Sequence, residues 1–178
     1  MGSINERQPE NNREDLRGPA AVAKIRELVD KAKNCFFCTA AVTGTTGGTR
    51  PMNVRKVDDD GHLWFLSAAD STQNRELTTD PSVRLYFQGS PHSDFLALTG
   101  RAAVVRDRAK IVQLWEPILK TWFTEGVDDP RITAIEVSVY DGYYWDTKHG
   151  NAIAFAKMLV GAAIGTTLDD SLEGRLTL

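Results

Sequence analysis

The sequence predicts a mainly β protein with flanking helices, in which a small antiparallel barrel forms the core. Short segments of alternating or aromatic character recur at close spacing, and turn signals such as "GTTGGT" and "DDDG" separate them. This spacing favours strands connected by hairpins over the strand–helix alternation of a parallel sheet. The length of 178 residues, with 42% hydrophobic and 25% charged residues, is typical of one globular domain.

The predicted elements begin with a polar segment and an amphipathic helix. Residues 1–16 carry almost no large apolar side chains and predict a disordered polar tail, so residues 17–178 are expected to form the single folded domain. Pro19 is typical of a first helical position, and the helix that follows has one apolar face. That face comprises Val22, Ile25, Leu28 and Val29.

Five β segments follow this helix in close succession. They are "CFFCTAAVTG", "PMNVRKV", "HLWFLS", "VRLYFQG" and "FLALTGRAAVV". Ser71 is a good helix N-cap residue, so a short helix is expected between the third and fourth strands, ending before Pro81. A bend is expected at Gly100, within the long fifth strand.

The second half of the chain alternates between helical and β character. The segment "RDRAKIVQLWEPILKTWF" predicts a helix that Pro117 kinks or divides, with Ile111 and Ile118 on its apolar face. "RITAIEVSVY" alternates as a strand, and Asp141–Gly142 predicts a hairpin turn into "YYWD". Residues 152–164 are mostly apolar and predict a final helix.

Charge and hydropathy argue against two classes of partner. The net charge is −3, and Lys and Arg are scattered along the chain, so no nucleic acid is expected to bind. No apolar run is long enough to span a bilayer, and no N-terminal segment resembles a signal peptide, so no membrane association is expected. The protein is therefore expected in the cytoplasm.

Cysteine and histidine spacing gives little support for thiol or metal chemistry. Cys35 and Cys38 lie three positions apart in a β segment and so point to opposite faces, which favours structural thiols over a redox pair or half a zinc site. A thiol redox function is the competing hypothesis. His62, His92 and His149 adjoin turns without a metal-ligand spacing and are expected at the surface.

The junction between the third strand and the short helix has the features of a ligand site. Ser67 ends the strand and Ser71 can cap the helix, whose first turn exposes backbone N–H groups and the positive end of the helix dipole. Such a helix start suits a phosphate. Arg50, Arg55 and Lys56 on the preceding strand are candidates to bring positive charge to the same anion. An ordinary capped helix beside solvated basic residues is the alternative, and general propensities favour it.

Four motifs follow one another along the β segments. They are "TRPMNVRKV", "LWFLSAADSTQNREL", "DPSVRLYF" and "LTGRAAVV". In this order they resemble the flavin-binding split barrel of pyridoxamine 5'-phosphate oxidase-like proteins. The later block "LWEPILKTWFTEGVDDPRITAIEVSVYDGYYWD" resembles the bacterial general stress protein branch of that family. The resemblance extends over residues 22–146, and the joint order of the motifs makes it specific.

The resemblance implies an FMN-binding split β-barrel of antiparallel, Greek-key type that forms a homodimer, with FMN in a cleft at the dimer interface. FAD and a deazaflavin are the alternative cofactors. The residues that it places at the cofactor are Arg50, Pro51, Met52, Asn53, Phe65, Leu66, Ser67, Ser71, Thr72, Gln73 and Trp145. The first four follow the isoalloxazine ring, the next three the ribityl chain and phosphate, and the next three the helix start that faces the phosphate. Trp145 corresponds to the aromatic residue that closes over the flavin, from the partner subunit.

The sequence departs from the family pattern in three places. Because of these departures, the resemblance supports flavin binding better than it supports oxidation of pyridoxamine phosphate. Thr72 and Gln73 stand where the oxidases carry Arg and Lys, so these positions offer hydrogen bonds without charge. Phe95 stands where they carry Gln, and the ending "GRLTL" lacks their substrate signature. The resemblance therefore implies an FMN-binding general stress protein whose catalytic residues are unassigned. It is either an FMN-dependent oxidoreductase that acts on a small molecule or a reduced nicotinamide, or a non-enzymatic protein for flavin binding, storage or sensing in the stress response.

Overall fold

The computed structural model describes residues 12–43, 47–148 and 170–178, which form a nine-stranded sheet and three α-helices. The strands are β1 (Leu16–Arg17), β2 (Asn34–Thr39), β3 (Thr49–Asn53), β4 (Lys56–Val57), β5 (Leu63–Ala68), β6 (Ser82–Gln88), β7 (Phe95–Val105), β8 (Ile132–Thr147) and β9 (Ser171–Thr177). The helices are α1 (Pro19–Ala32), α2 (Thr72–Thr79) and α3 (Arg108–Leu114), with 3₁₀ turns at Pro117–Thr121 and Gly126–Asp128.

The strands form one antiparallel sheet, to which β1 adds a parallel pairing with β9. The hydrogen-bonded order is β1-β9-β8-β7-β6-β2-β3, and the β4–β5 hairpin joins at β8. One edge of β8 pairs with β7, while its other edge pairs first with β5 and then with β9. A register shift between Thr99 and Gly100 of β7 is the irregularity predicted there. The predicted mainly β, antiparallel fold with flanking helices is confirmed.

Hydrogen bonds do not close the sheet, and the chain itself crosses the gap between its two ends. β3 pairs with β2 at one end, β4 pairs with β5 at the other, and only Val54 and Arg55 separate β3 from β4. The Val54 N–H donates to Lys33 O at 3.0 Å, and the Arg55 N–H donates to Trp64 O at 2.8 Å. The fold is thus the expected split barrel. The single strand predicted for "PMNVRKV" is divided because its two ends pair with different partners.

The barrel interior is apolar, and α1 covers part of it. The Phe37 and Phe65 rings meet edge to face with centroids 5.2 Å apart, and both side chains are fully buried. Ile25 and Leu28 of α1 are fully buried as predicted. Val29 is also buried as predicted, Ala21 joins this face, and the predicted Val22 is half-buried.

A second apolar cluster lies where α3 and the 3₁₀ turns pack against β5 and β8. Its buried members are Trp64, Ile111, Leu114, Phe123, Ile132 and Ala134. Pro117 divides the predicted helix, since α3 ends at Leu114 and a 3₁₀ turn begins at the proline. Ile118, predicted on the buried face, is 63% exposed because the helical register does not continue across this break.

The Asp-Gly pair that predicted a hairpin turn lies inside a strand instead. β8 runs without interruption from Ile132 to Thr147, and Gly142 pairs with Leu98 on one side and Leu176 on the other. A Cβ at Gly142 would lie 2.7 Å from Leu98 Cδ2 and 3.1 Å from Ala97 O. The hairpin prediction is wrong because glycine serves here to let two strands and their side chains approach closely.

Residues 12–16 pack against β9, although the sequence predicted a disordered tail through residue 16. The Glu14 N–H donates to Glu173 O at 2.9 Å, and the Tyr144 hydroxyl donates to Glu14 O at 2.9 Å. The strand partner lies at the opposite end of the chain, so no local pattern indicates the pairing. The ordered barrel therefore includes a short N-terminal extension.

Two predicted segments lie outside the described residues, namely residues 1–11 of the tail and the helix at 152–164. Within the described ranges α1 is the longest helix. No helix in those ranges has both the length and the apolar character needed to cross a bilayer.

Candidate functional site

The junction between β5 and α2 has the geometry that the sequence indicates. Ser71 is the N-cap residue of α2, and its Oγ accepts a hydrogen bond from the Asn74 N–H at 3.1 Å. The Ser67 and Ser71 hydroxyl oxygens lie 3.1 Å apart, so a hydrogen bond joins the end of β5 to the start of α2. Two hydroxyl groups and the first turn of a helix therefore meet at one place.

A buried hydrogen-bonded chain fixes α2 against the sheet. The Asn74 Nδ2 donates to Thr133 Oγ1 at 2.9 Å, and the Thr133 hydroxyl donates to Ser67 O at 3.0 Å. All three residues are at most 8% exposed. Because Thr133 lies on β8, the start of α2 is held by two neighbouring strands at once.

Glu76 is a fully buried carboxylate on the inner face of α2. It accepts hydrogen bonds from the Thr39 hydroxyl at 2.7 Å, from the Thr43 N–H at 3.0 Å and from Arg50 Nη2 at 2.6 Å. Burial alone would raise the pKa of Glu76, but these hydrogen bonds and the Arg50 charge outweigh it and lower the pKa to about 2. Glu76 therefore stays ionised and joins β2, β3 and α2.

Two buried side-chain nitrogens, one on α2 and one on its ion-pair partner Arg50, have no hydrogen-bond partner in the part of the chain that the structure describes. They are Arg50 Nη1 and Gln73 Nε2. Gln73 is only 4% exposed, and it precedes Glu76 by three residues, so the two share one helix face. A buried unpaired donor costs about 1–3 kcal/mol. These donors suit a ligand with oxygen acceptors, such as a phosphate.

Arg75 brings positive charge to the start of α2, and the sequence analysis missed it. Its Nη1 donates to Asp70 O at 2.7 Å and its Nη2 to Thr72 Oγ1 at 3.0 Å, so the guanidinium folds back over the first turn. Thr72 and Gln73 supply no charge there. The three-residue spacing from Thr72 to Arg75 is the signal that could have indicated this contact.

Of the three basic residues proposed for the anion, only Arg50 has a contact with α2 among the described residues, through its ion pair with Glu76. Arg55 is bound elsewhere: its Nη2 lies 2.6 Å from Glu116 Oε1, and its Nε donates to Leu114 O at 3.2 Å. Lys56 pairs with Trp64 near the start of β5, whereas Ser67 lies near the end of that strand. The prediction for Arg55 is wrong because its partners on the α3 segment are remote in sequence.

The other cofactor residues expected on β3 and β5 lie on the strands foreseen for them. Pro51 and Asn53 are exposed on β3 and Met52 is half-buried, and β3 forms its strand pairing with β2. Leu66 is also half-buried and packs against the second apolar cluster. Phe65 differs, because its side chain fills the core and only its backbone remains available to a ligand.

Trp145 lies far from the junction within one chain. It is on the last part of β8, opposite Phe95, whereas the junction pairs with the first part of β8 through Ile132. It is 42% exposed, and its ring contacts the Tyr143 ring at a tilt of 50°, with centroids 4.8 Å apart. The structure of one chain therefore does not bring Trp145 together with the other predicted site residues.

Exposed aromatic side chains form a row across the outside of the sheet. Phe36 pairs with Tyr86, Tyr86 with Ala97, and Ala97 with Tyr143, so all four face the same side. Phe36 is 59% exposed and Tyr86 is 43% exposed. We call Phe36, Tyr86, Tyr143 and Trp145 the aromatic face.

The cysteines have the structural character that the sequence predicted. Cys35 is buried and Cys38 is half-buried, both are free thiols, and the strand places them on opposite faces. Burial raises the pKa of the Cys35 thiol to about 12. A thiol that stays protonated at neutral pH is a poor nucleophile, so the geometry does not favour the thiol redox hypothesis.

The two histidines within the described residues differ in exposure and in contacts. His92 is exposed in the loop before β7, as predicted, and His149 lies outside the described residues. His62 is only partly exposed, and its Nδ1 lies 3.0 Å from Glu136 Oε1. Since Glu136 is on β8, the sequence spacing gave no indication of this contact.

We expect Glu76→Gln to lower the free energy of unfolding by about 3 kcal/mol at neutral pH, because it leaves the Arg50 charge without its buried partner. Because the pKa of Glu76 is lowered, the ionised carboxylate stabilises the wild type fully above pH 4.5. This stabilisation is lost as the pH falls toward 2 and Glu76 becomes protonated. Urea unfolding should show that the difference in free energy of unfolding between wild type and variant decreases as the pH is lowered across this range.

Glu116→Gln is the matched control, because Glu116 also pairs with an arginine but is 61% exposed. Its removal should cost at most about 1 kcal/mol. Equal losses in the two variants, or a Glu76→Gln gap that does not change with pH, would contradict the assigned role of Glu76.

Comparison with known proteins identifies relatives of the whole barrel. The family model of pyridoxamine 5'-phosphate oxidase-like proteins matches residues 20–169. Protein bli-3 of Neurospora crassa is 28% identical over 90 residues, covering 46% of this chain and 43% of bli-3. The match therefore spans less than half the length of that curated relative.

Solved structures share the fold. A candidate general stress protein 26 from Jannaschia sp. CCS1 has a TM-score of 0.73 and 17% identity, covering 88% of this chain and 97% of that one. A Clostridium acetobutylicum protein related to general stress protein 26, of the pyridoxinephosphate oxidase family, has a TM-score of 0.57 and 25% identity, covering 69% and 86%. The general stress FMN/FAD binding protein of Xanthomonas citri has a TM-score of 0.57 and 21% identity, covering 67% and 82%. This chain belongs to the pyridoxamine 5'-phosphate oxidase-like family, on the general stress protein branch that its motifs indicated.

Proposed function

We propose that the protein binds FMN, with the terminal phosphate at the start of α2, and transfers electrons between the flavin and a small molecule or a reduced nicotinamide. The proposal rests on two observations within the described residues: the buried donors Gln73 Nε2 and Arg50 Nη1 have no hydrogen-bond partner, and the Ser67 and Ser71 hydroxyl groups meet at the start of α2. Family membership and the FMN/FAD binding protein among the similar structures support a flavin as the ligand.

The donor set suits a phosphate by chemistry as well as by position. A phosphate offers several strong oxygen acceptors, and hydroxyl groups, an amide and a guanidinium are hydrogen-bond donors. The N-terminus of α2 adds backbone N–H groups and a positive dipole end. Arg75 contributes positive charge at the rim, where Thr72 and Gln73 contribute none.

The protein's own residues would hold and orient the cofactor. The hydroxyl pair and Gln73 would bind the phosphate, and the backbone of β3 from Arg50 to Asn53 would run along the flavin ring. When bound, FMN supplies the hydride and electron chemistry, and the protein supplies position and access. The Glu76 carboxylate would keep Arg50 in one orientation through their buried ion pair.

We propose further that the protein works as a homodimer. Trp145 lies too far along β8 to reach the junction of its own chain, so its expected place over the flavin requires the partner subunit. The aromatic face supplies exposed Tyr, Trp and Phe side chains, which are enriched at interfaces. Both observations favour a shared site.

Gln73→Met tests the phosphate contact. The variant should bind FMN about tenfold more weakly, because one hydrogen bond to a charged group is lost. Riboflavin, which lacks the phosphate, should bind equally well to both proteins. Flavin-free Gln73→Met should also gain about 1 kcal/mol in free energy of unfolding, since a buried unpaired amide is removed.

The measurements are fluorescence titration and urea unfolding, with the exposed Gln113→Met on α3 as the matched control. Equal weakening for FMN and riboflavin would place Gln73 away from the phosphate. Unchanged FMN affinity would remove Gln73 from the site.

Anaerobic mixing of the FMN-loaded protein with NADH or NADPH tests the redox activity. Transfer of a hydride to the flavin should abolish its visible absorbance. Tight FMN binding without reduction by either nicotinamide, and without turnover of added small molecules, would favour the storage or sensing function instead.

Phe36→Lys tests the dimer, because it places a charge at the most exposed side chain of the aromatic face. Light scattering should show the wild type as a dimer and the variant as a monomer that has lost most FMN affinity. Trp122→Lys is the control, since Trp122 is similarly exposed (64% against 59%) but lies outside the aromatic face. A monomeric wild type would contradict the shared site.

A further inference from the structure

Three metal-ligating side chains converge on the outside of the barrel, away from the flavin site. Asp58 and His62 belong to the turn between β4 and β5, and Glu136 lies on the adjoining strand β8. One ligand atom from each lies within 4.8 Å of the other two. We propose that these residues form a binding site for a divalent transition-metal ion of the Zn²⁺ class, independent of the proposed flavin binding.

The distances between the ligand atoms are close to those of a tetrahedral site. His62 Nδ1 lies 3.0 Å from Glu136 Oε1 and 3.7 Å from Asp58 Oδ2. Zinc bonds to nitrogen and oxygen are about 2.0–2.2 Å long, so ligand atoms around a tetrahedral ion are separated by about 3.3–3.5 Å. One of the two distances from His62 Nδ1 is shorter than this range and the other is longer, so small side-chain shifts would produce tetrahedral spacing.

The hairpin holds Asp58 in a single orientation. Its Oδ1 accepts hydrogen bonds from the His62 N–H at 2.9 Å and from the Asp60 N–H at 3.2 Å. Its Oδ2 accepts one from Trp64 Nε1 at 2.8 Å, which leaves the second acceptor position of Oδ2 for an ion beside His62. Such outer partners commonly orient metal ligands.

Backbone pairing fixes the third ligand relative to the hairpin. Glu136 pairs directly with Trp64 across β8 and β5, in the segment next to His62. The site therefore rests on a tight turn and two paired strands. Metal-ligating residues on such rigid elements lose little conformational freedom when an ion binds to them.

The charge balance also suits a cation. Two carboxylates face one imidazole, and two basic side chains close to the turn contact other groups. Arg26 Nη2 donates to the Asp58 carbonyl and to Asp59, and Lys110 Nζ lies 4.0 Å from the centre of the Trp64 ring. A divalent ion would neutralise the two carboxylate charges, and neutral imidazole with carboxylates is a common zinc ligand set.

The three side chains are partly exposed, which leaves an entry path and a fourth coordination position for water. The exposed fractions are 20% for Asp58, 33% for His62 and 27% for Glu136. An open position of this kind distinguishes the arrangement from a closed structural site with four protein ligands.

Calorimetric titration of the full, untagged protein with Zn²⁺, and visible absorption with Co²⁺, would test the site. We expect one equivalent of metal to bind, and Co²⁺ to give ligand-field bands without the thiolate charge-transfer absorption that cysteine ligation would produce. His62→Ala and Asp58→Asn should each weaken binding at least about tenfold, given that loss of an outer partner alone costs 10–100-fold. Asp58→Asn keeps an oxygen acceptor for the turn amides and so preserves the hairpin.

His92→Ala is the matched control, because it removes an exposed loop histidine remote from the cluster, and it should bind Zn²⁺ as the wild type does. Circular dichroism verifies folding of each variant. The proposal is overturned if the wild type binds neither metal in molar excess, or if His62→Ala and Asp58→Asn bind as tightly as the wild type. Flavin affinity should be unchanged in both variants, so this test is separate from that of FMN binding.

Discussion

The ion pair between Glu76 and Arg50 organises the junction on which the proposed flavin site depends. A carboxylate with no solvent exposure is costly to bury, and it is retained here because Arg50 and two threonines satisfy it. These partners belong to β2, β3 and the segment that follows β2, whereas Glu76 belongs to α2. One buried charge therefore sets the position of the helix start relative to the edge strand.

The same ion pair determines how the junction can recognise an anion. The Arg50 charge is offset by Glu76, so Arg50 offers a directed N–H group with little net charge. Ser67, Ser71 and Gln73 are neutral donors, and Arg75 supplies its charge from an exposed position. Charged hydrogen bonds are about twice as strong as neutral ones, so this site relies more on geometry than one lined by Arg and Lys.

The sequence predicted local features well and long-range contacts poorly. Ser71 caps a helix and Pro117 divides one because each acts on its own few residues. Gly142 was assigned to a hairpin turn, but glycine is favoured both in turns and where two strands approach closely, and the sequence alone does not distinguish these settings. The partners of Arg55 and the contact between His62 and Glu136 depend on pairings between distant segments, which no local pattern encodes.

The uninterrupted course of β8 connects the functional features of the barrel. Thr133 near its start holds the helix junction, Glu136 completes the proposed metal site, and Trp145 near its end joins the aromatic face. A hairpin at Gly142 would have turned Trp145 back along its own strand instead of continuing it. Because the strand continues, Trp145 lies at the end of β8 opposite the segment that pairs with the helix junction. The proposed homodimer accommodates this separation, since one chain would supply the helix junction and the other would supply Trp145.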